Sequence, residues 1–153
     1  MLAPGGWQTD VVLPAKALGR RLDPAGLPLS TALGVYGMPG FTAYSSLHEI
    51  ARLKAGETLV VAAATGPVGA TVAQLAKLQG ARVVAIAGGE AKRAYLQTLG
   101  VDVALDHRAA DFAAQLRAAV PAGIDVYFEN VGGHVLDAVL PLLCALGLAA
   151  RRG

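Results

Sequence analysis

Leu59-Val60-Val61-Ala62-Ala63-Ala64-Thr65-Gly66-Pro67-Val68-Gly69 decides how this chain folds. Leu59–Ala63 is a short continuous apolar run, as a strand requires when both of its faces are covered. Glycine and proline follow at once. Pro67–Gln79 then sets Val68, Val72 and Leu75 on one side and Gln74 and Lys77 elsewhere, which is helical spacing. Gly80 stops that helix. A buried strand running through a glycine turn into a helix opens a βαβ unit.

The same alternation continues on either side. Upstream, Tyr44, Leu47, Ile50 and Ala51 predict a helix over Phe41–Leu53, stopped by Gly56. Downstream, Arg82–Ala87 reads as a strand, Ala91–Leu99 as a helix closed by Gly100, and Val101–Leu105 as a strand. Asp111 is placed to cap a helix carrying Phe112, Leu116 and Val120. Ile124–Phe128 is a fourth strand, and His134–Leu140 begins a last helix that Pro141 ends or kinks. Strands and helices alternating at this spacing predict an α/β fold, a doubly wound parallel sheet. Its crossovers are right-handed, so the strands' C-terminal ends share one edge, where such sheets bind ligands. Residues 1–40 differ. Pro4, Gly5, Gly6, Pro14, Gly19, Pro24, Gly26 and Pro28 punctuate them too densely for regular elements.

The chain has 153 residues, 54% of them hydrophobic and 16% charged, enough to bury a core and too apolar for disorder. Its formal charge of +2 comes from scattered basic residues, which argues against nucleic acid as a partner. One cysteine, Cys144, excludes an internal disulfide and a cysteine-built zinc site. Mean hydropathy is +0.50, yet the uncharged stretches are broken by glycine or proline or, like Ala138–Ala150, are too short to span a bilayer. No signal peptide is visible at Met1-Leu2-Ala3-Pro4-Gly5-Gly6, so the expectation is a soluble, cytoplasmic protein with no membrane partner.

Set on the dinucleotide fingerprint G-x-G-x-x-G, the turn supplies the second and third glycines as Gly66 and Gly69, with Ala64 in place of the first. Gly66 admits a pyrophosphate to the backbone N–H groups at the positive end of the helix. Gly69 allows close packing of helix on strand, and Pro67 suits a first-turn position. A tight strand-to-helix turn without a ligand would use the same residues. The second strand ends Ile86-Ala87-Gly88-Gly89, without the acid that holds a ribose 2′-hydroxyl in NAD sites. Neutral glycines with Lys92 at the next helix's start would receive a 2′-phosphate. Arg93 is the weaker choice, and both cations also read as solvated helix charges.

Gly37-Met38-Pro39-Gly40-Phe41-Thr42-Ala43-Tyr44, Lys54-Ala55-Gly56-Glu57-Thr58, Ala64-Thr65-Gly66-Pro67-Val68-Gly69, Ala87-Gly88-Gly89 and Tyr127-Phe128-Glu129-Asn130-Val131-Gly132-Gly133 together resemble one family. It is the zinc-independent branch of the medium-chain dehydrogenase/reductases, of the prostaglandin, curcumin and alkenal double-bond reductase type. The similarity runs from about Gly6 to Leu143. It implies a Rossmann-like NADP-binding domain over residues 37–143, preceded over residues 1–36 by the end of a GroES-like substrate domain and followed over 144–153 by a divergent tail. It implies NADPH as hydride donor and an enone or enal as substrate, with quinone reduction and a non-catalytic NADPH-binding fragment as rivals. Gly66, Pro67, Val68 and Gly69 would cradle the pyrophosphate, Lys92 would meet the 2′-phosphate, and Asn130 would sit near the nicotinamide half. His107 falls where the family commonly has a tyrosine facing the adenosine phosphate, and Ala91 where it often has Glu. A homodimer is what the relatives imply; no catalytic residue is assigned.

The remaining candidates read as structural. His48, His107 and His134 have no metal-binding spacing, and Met38 stands where zinc-dependent relatives carry a ligand cysteine. Tyr44 and Tyr127 occupy periodic positions that predict core packing. Ser45, Ser46 and His48 lack a nucleophile elbow and read as helix surface. Cys144 is expected to be buried or disordered rather than reactive. With the resemblance fading after Leu143, the sheet is expected to stop at four strands with an unpaired edge. The chain is then incomplete as an enzyme, a weak NADPH binder with negligible enone reduction.

Overall fold

The structure is a computed structural model and describes residues 5–6, 8–19, 21–23 and 26–151. Met1, Leu2, Ala3, Pro4 and Pro24, which entered the reading of residues 1–40, and the last two residues of the 144–153 tail lie outside the described residues. Five parallel strands, β1 (Thr58–Val61), β2 (Arg82–Ala87), β3 (Val103–Asp106), β4 (Ile124–Glu129) and β5 (Leu143–Arg151), form one sheet in the order β3-β2-β1-β4-β5. The helices are α1 (Met38–Ser45), α2 (Pro67–Leu78), α3 (Glu90–Thr98), α4 (Phe112–Ala119) and α5 (Gly133–Val139). This is the doubly wound Rossmann-like α/β fold.

Strand side chains alternate between two cores because successive residues face opposite sides of a sheet. Leu59, Val61, Val83, Ala85 and Phe128 pack with Ala43 of α1, Val72 and Ala76 of α2 and Leu96 of α3. Val60, Val84, Ile86, Leu105 and Tyr127 pack with Phe112 and Leu116 of α4 and Val135 and Val139 of α5. Both faces of the strands are covered, so their sequences are continuously apolar. The chain winds outward from β1 through β2 to β3, then crosses back to β4. The order therefore reverses between β1 and β4, the place where such sheets open a crevice. Thr58 pairs with Arg82 in register, and Leu59 with Val126.

Four expectations are corrected. The sheet does not stop at four strands: Leu143–Arg151 forms β5 beside β4, pairing Leu143 with Ile124 and Leu148 with Val126. A register shift between Ile124 and Val126 absorbs the extra residues. The physical reason is the uncharged apolar run itself, which closes what would have been an open edge on β4. The predicted Phe41–Leu53 helix begins earlier, at Met38 with Pro39 in the first turn, and widens into a π-helical stretch over Ser46–Ala51. Arg52 ends it in the left-handed conformation (φ 51°, ψ 43°), ahead of Gly56. Tyr44 is not in the core: it is 54% exposed and lies against His48, ring centroids 4.2 Å apart. Cys144 is neither buried nor disordered but half-buried, its Sγ 3.6 Å from the Ala122 carbonyl oxygen.

The start of β3 also differs. Asp102 is not part of the strand; its carboxylate accepts the Val83 N–H at 2.7 Å and pairs with Lys77 at 2.9 Å, tying the end of α2 to the starts of β2 and β3. Asp111 occupies the N-cap of α4 without a capping bond, its side chain accepting instead from Gln115 Nε2 at 2.7 Å.

Candidate functional site

The turn after β1 is built on Ala63, which adopts φ 47°, a left-handed conformation uncommon for a residue with a Cβ. The sequence placed Ala64 on the fingerprint's first glycine; the conformational demand falls one residue earlier. The Gly66 N–H returns to the Ala63 carbonyl at 2.9 Å, and Gly66 is the N-cap of α2 with Pro67 as its first helical residue. Gly69 faces the turn at close range. A Cβ there would lie 2.5 Å from the Ala63 oxygen and 2.8 Å from the Ala64 Cα, so only glycine lets α2 sit this near the strand end.

A cleft of about 260 Å³ opens at the C-terminal edge of the sheet, lined among others by Ala63, Gly66, Gly88, Lys92, His107 and Val131. It thus joins the ends of β1, β2 and β3 and the loop after β4. Of the residues singled out from sequence, Gly66, Lys92 and His107 meet in it. Pro67, Val68 and Gly69 do not line it; they shape its floor by setting α2 on the turn. Asn130 does not line it either. Its Nδ2 donates to the Ala62 carbonyl at 3.1 Å, fixing the β4 end against the β1 end.

The β2 tip carries the electrostatics. Gly88 follows β2, and Gly89 (φ 91°) is the N-cap of α3, with Lys92 in the first turn. A Cβ at Gly88 would meet both Arg108 Nε and His107 Nε2 at 2.8 Å, so these two side chains lie across the glycine. Arg108 was missed by sequence reasoning; the available signal was a basic residue just past the C-terminal end of a strand. Asp106, at the end of β3, accepts the Gly89 N–H at 3.0 Å and the Arg108 N–H at 2.9 Å. The Arg108 N–H, opposed by desolvation and joined by the Gly89 N–H, holds the Asp106 carboxyl below its ordinary range. Arg93 is drawn away by Glu90 at 3.2 Å, whereas among the described residues neither Lys92 nor Arg108 makes an ion pair. His107 leans on His134, with ring centroids 5.5 Å apart. Its buried Nδ1 has no hydrogen-bond partner among the described residues.

The far wall rests on a buried carboxylate. Glu129 is 5% exposed, and its Oε1 accepts the N–H groups of Val131 and Gly132, the latter at 2.7 Å. This holds Val131 at the cleft. Burial first, and then the Glu129 carboxylate beside it, pushes the Tyr127 phenol far above its ordinary range, so that hydroxyl stays neutral. Tyr127 is fully buried, as its periodic position predicts. Among the described residues no group of three or more His, Cys, Asp or Glu side chains is placed to hold a metal ion. Nor is any helix among them long and apolar enough to cross a membrane.

A crevice at the switch point of a doubly wound sheet, with a glycine turn, a helix N-terminus and a lysine in its lining, is where proteins of this fold class bind ligands. Comparison with known proteins names the family. Residues 67–150 match the family described as zinc-binding dehydrogenase, and the chain belongs to it, on the branch of the zinc-independent double-bond reductases. The NADPH-dependent curcumin reductase of Escherichia coli (strain K12) is 58% identical over 94% of this chain and 41% of its own length. Prostaglandin reductase 1 of Bos taurus is 43% identical over 100% of this chain and 47% of its own length. Among solved structures, CurA from Vibrio vulnificus in complex with NADPH superposes with a TM-score of 0.77 at 59% identity, over 78% of this chain and 36% of that one. The chain spans less than half the length of these relatives. The family match also continues past Leu143, where the resemblance was expected to fade, because β5 belongs to the common sheet.

Proposed function

We propose that this chain is the cofactor-binding part of an NADPH-dependent reductase acting on the C=C bond of α,β-unsaturated ketones and aldehydes. The observation that carries the reading is the convergence of Gly66, Gly88, Lys92 and His107 on one cleft. The cleft fits an adenosine phosphate: a bare Gly88 against which the His107 imidazole and the Arg108 guanidinium lie, an unpartnered buried imidazole nitrogen, and Lys92 beside a β2 tip without an acid. Its volume of about 260 Å³ lies just below the usual range for ligand pockets and suits one half of a dinucleotide.

On this reading the N–H groups at the start of α2, with Gly66, Pro67, Val68 and Gly69 shaping the approach, hold the pyrophosphate. Lys92 holds the 2′-phosphate with His107 beside it, and Asn130 stiffens the side nearest the nicotinamide half. When bound, the dihydronicotinamide supplies a hydride to the β-carbon of the substrate; the chemistry is the cofactor's and the protein contributes position and electrostatics. Residues 1–36 are then the end of a substrate domain and residues 37–143 the cofactor domain, to whose sheet Leu143–Arg151 adds β5. A small-molecule substrate and a cytoplasmic setting go with the assignment.

Titrating the purified chain with NADPH and NADH tests it. Tighter binding of NADPH is expected; equal affinity would remove the reading. Saturated ketone formed from an enone, with NADPH consumed, supports the substrate class. NADPH consumption with quinones alone would move the assignment to quinone reduction.

A further inference from the structure

Resting on the NADPH reading, we infer that Arg108 is the second cationic arm of the 2′-phosphate site and a determinant of cofactor choice. A phosphate monoester carries close to two negative charges at neutral pH, and Lys92 supplies one positive charge from the start of α3. The Arg108 guanidinium lies beside the same cleft, against its lining residue Gly88. Its Nε and Cζ would stand 2.8 and 3.1 Å from a Cβ on Gly88, so the fork lies over the bare β2 tip. No carboxylate pairs with it among the described residues, in contrast to Arg93. A planar guanidinium in this place can present two parallel N–H donors to phosphate oxygens, which an ammonium does not do.

Asp106 ties the loop that bears Arg108 to the loop that leads into the helix of Lys92. One oxygen accepts the Gly89 N–H and the other the Arg108 N–H, so one carboxylate fixes both the loop leading to Lys92 and the loop bearing Arg108. Asp106 thus orders these loops through backbone bonds, and it stands at the end of β3 rather than at the β2 tip, where the acid of an NAD site holds the ribose. An acid near the cleft is here compatible with a phosphate. His107 lines the cleft next to Arg108, its Nε2 over the same glycine.

The test uses adenosine 2′,5′-bisphosphate and adenosine 5′-monophosphate as probes, titrated calorimetrically into the wild-type chain and into Arg108→Ala, Arg108→Lys and Arg117→Ala. Arg117 is an exposed α4 cation away from this cleft, so its variant controls for net charge. The wild type and Arg117→Ala are expected to prefer the bisphosphate. Arg108→Ala should lose about tenfold in bisphosphate affinity, as for a charge-assisted hydrogen bond, with the monophosphate nearly unchanged. Arg108→Lys should recover part of the loss. Undiminished preference in Arg108→Ala overturns the role of Arg108 and leaves the NADPH reading standing. A wild type that does not prefer the bisphosphate sinks both.

Discussion

Replacing Gly69 by Ala should destabilise the chain by about 2 kcal/mol, and the figure follows from two opposed effects. The new methyl would be 2.5 Å from the Ala63 oxygen, 2.8 Å from the Ala64 Cα and 3.1 Å from the Ala63 carbonyl carbon. All three are backbone atoms of a turn held by the Gly66-to-Ala63 and Ala64-to-Ile86 hydrogen bonds, so none can rotate aside. Forcing a methylene into a packed site costs roughly 1–3 kcal/mol, and rigid neighbours place this one at the upper end. Against it, alanine in place of a helical glycine gains at most about 1 kcal/mol. Gly66→Ala is the companion, since its Cβ would meet only the Ala63 oxygen, at 3.3 Å, with φ at −72°. Urea unfolding followed by circular dichroism separates the two. Gly69→Ala should shift the midpoint down by about 2 kcal/mol divided by m, with m unchanged, and Gly66→Ala by less than half as much. A Gly69→Ala chain as stable as wild type would refute the claim that this glycine sets the distance between α2 and the turn.

Three further outcomes are expected. Lys92→Ala should weaken NADPH binding by about 1–3 kcal/mol and leave NADH nearly unchanged, measured by fluorescence titration; equal losses would detach Lys92 from the 2′-phosphate. Elemental analysis of the purified protein should find no stoichiometric zinc, since Met38 stands in the ligand position and Cys144 is the single cysteine; one zinc per chain would contradict it. Asp102 is pushed up by burial but pulled further down by Lys77 and the Val83 N–H, so its folded value lies below the ordinary one. A lowered carboxylate contributes stability above its unfolded value near 4 that is lost as pH falls through the folded value. The urea midpoint should therefore drop on acidification below about pH 4, and Asp102→Asn should be less stable by about 1 kcal/mol at neutral pH while flattening that acid limb.

What was legible in the sequence was whatever burial on two faces forces. Leu59-Val60-Val61 and Val83-Val84-Ala85-Ile86 are apolar without interruption because their residues alternate between two covered cores. The glycine turn and Lys92 stood out because an anion site needs backbone N–H groups and a cation at a strand's C-terminal end, and His107 entered through the family resemblance; the structure brings Gly66, Lys92 and His107 to one cleft. Three features escaped. Strand β5 has the same apolar character as the others, but its register shift against β4 and its distance from any motif concealed it. Ala63 bears a strain that no residue type announces; the fingerprint pointed to Ala64. Arg108 lies on a loop, where periodicity carries no signal, and only the backbone of Gly88 reveals what rests on it.

The placement of the cleft follows from the winding of the chain. With α2 and α3 on one face and α4 and α5 on the other, the crossover from β3 to β4 must pass β2 and β1, and the loops after β1 and β4 diverge to opposite faces. The gap they leave is where Gly66 and Val131 stand opposite each other. Two long-range hydrogen bonds keep it from collapsing or spreading: Asn130 to Ala62 across the switch point, and Asp106 to Gly89 across the β2–β3 rim. Each uses a polar side chain at a strand's end to bind a neighbouring loop's backbone. On the NADPH reading, walls tied in this way cost little to order on binding, which leaves more of the phosphate contact energy for affinity. On the NADPH reading, substitutions at Asn130 or Asp106 are expected to weaken the cofactor through loss of this preorganisation.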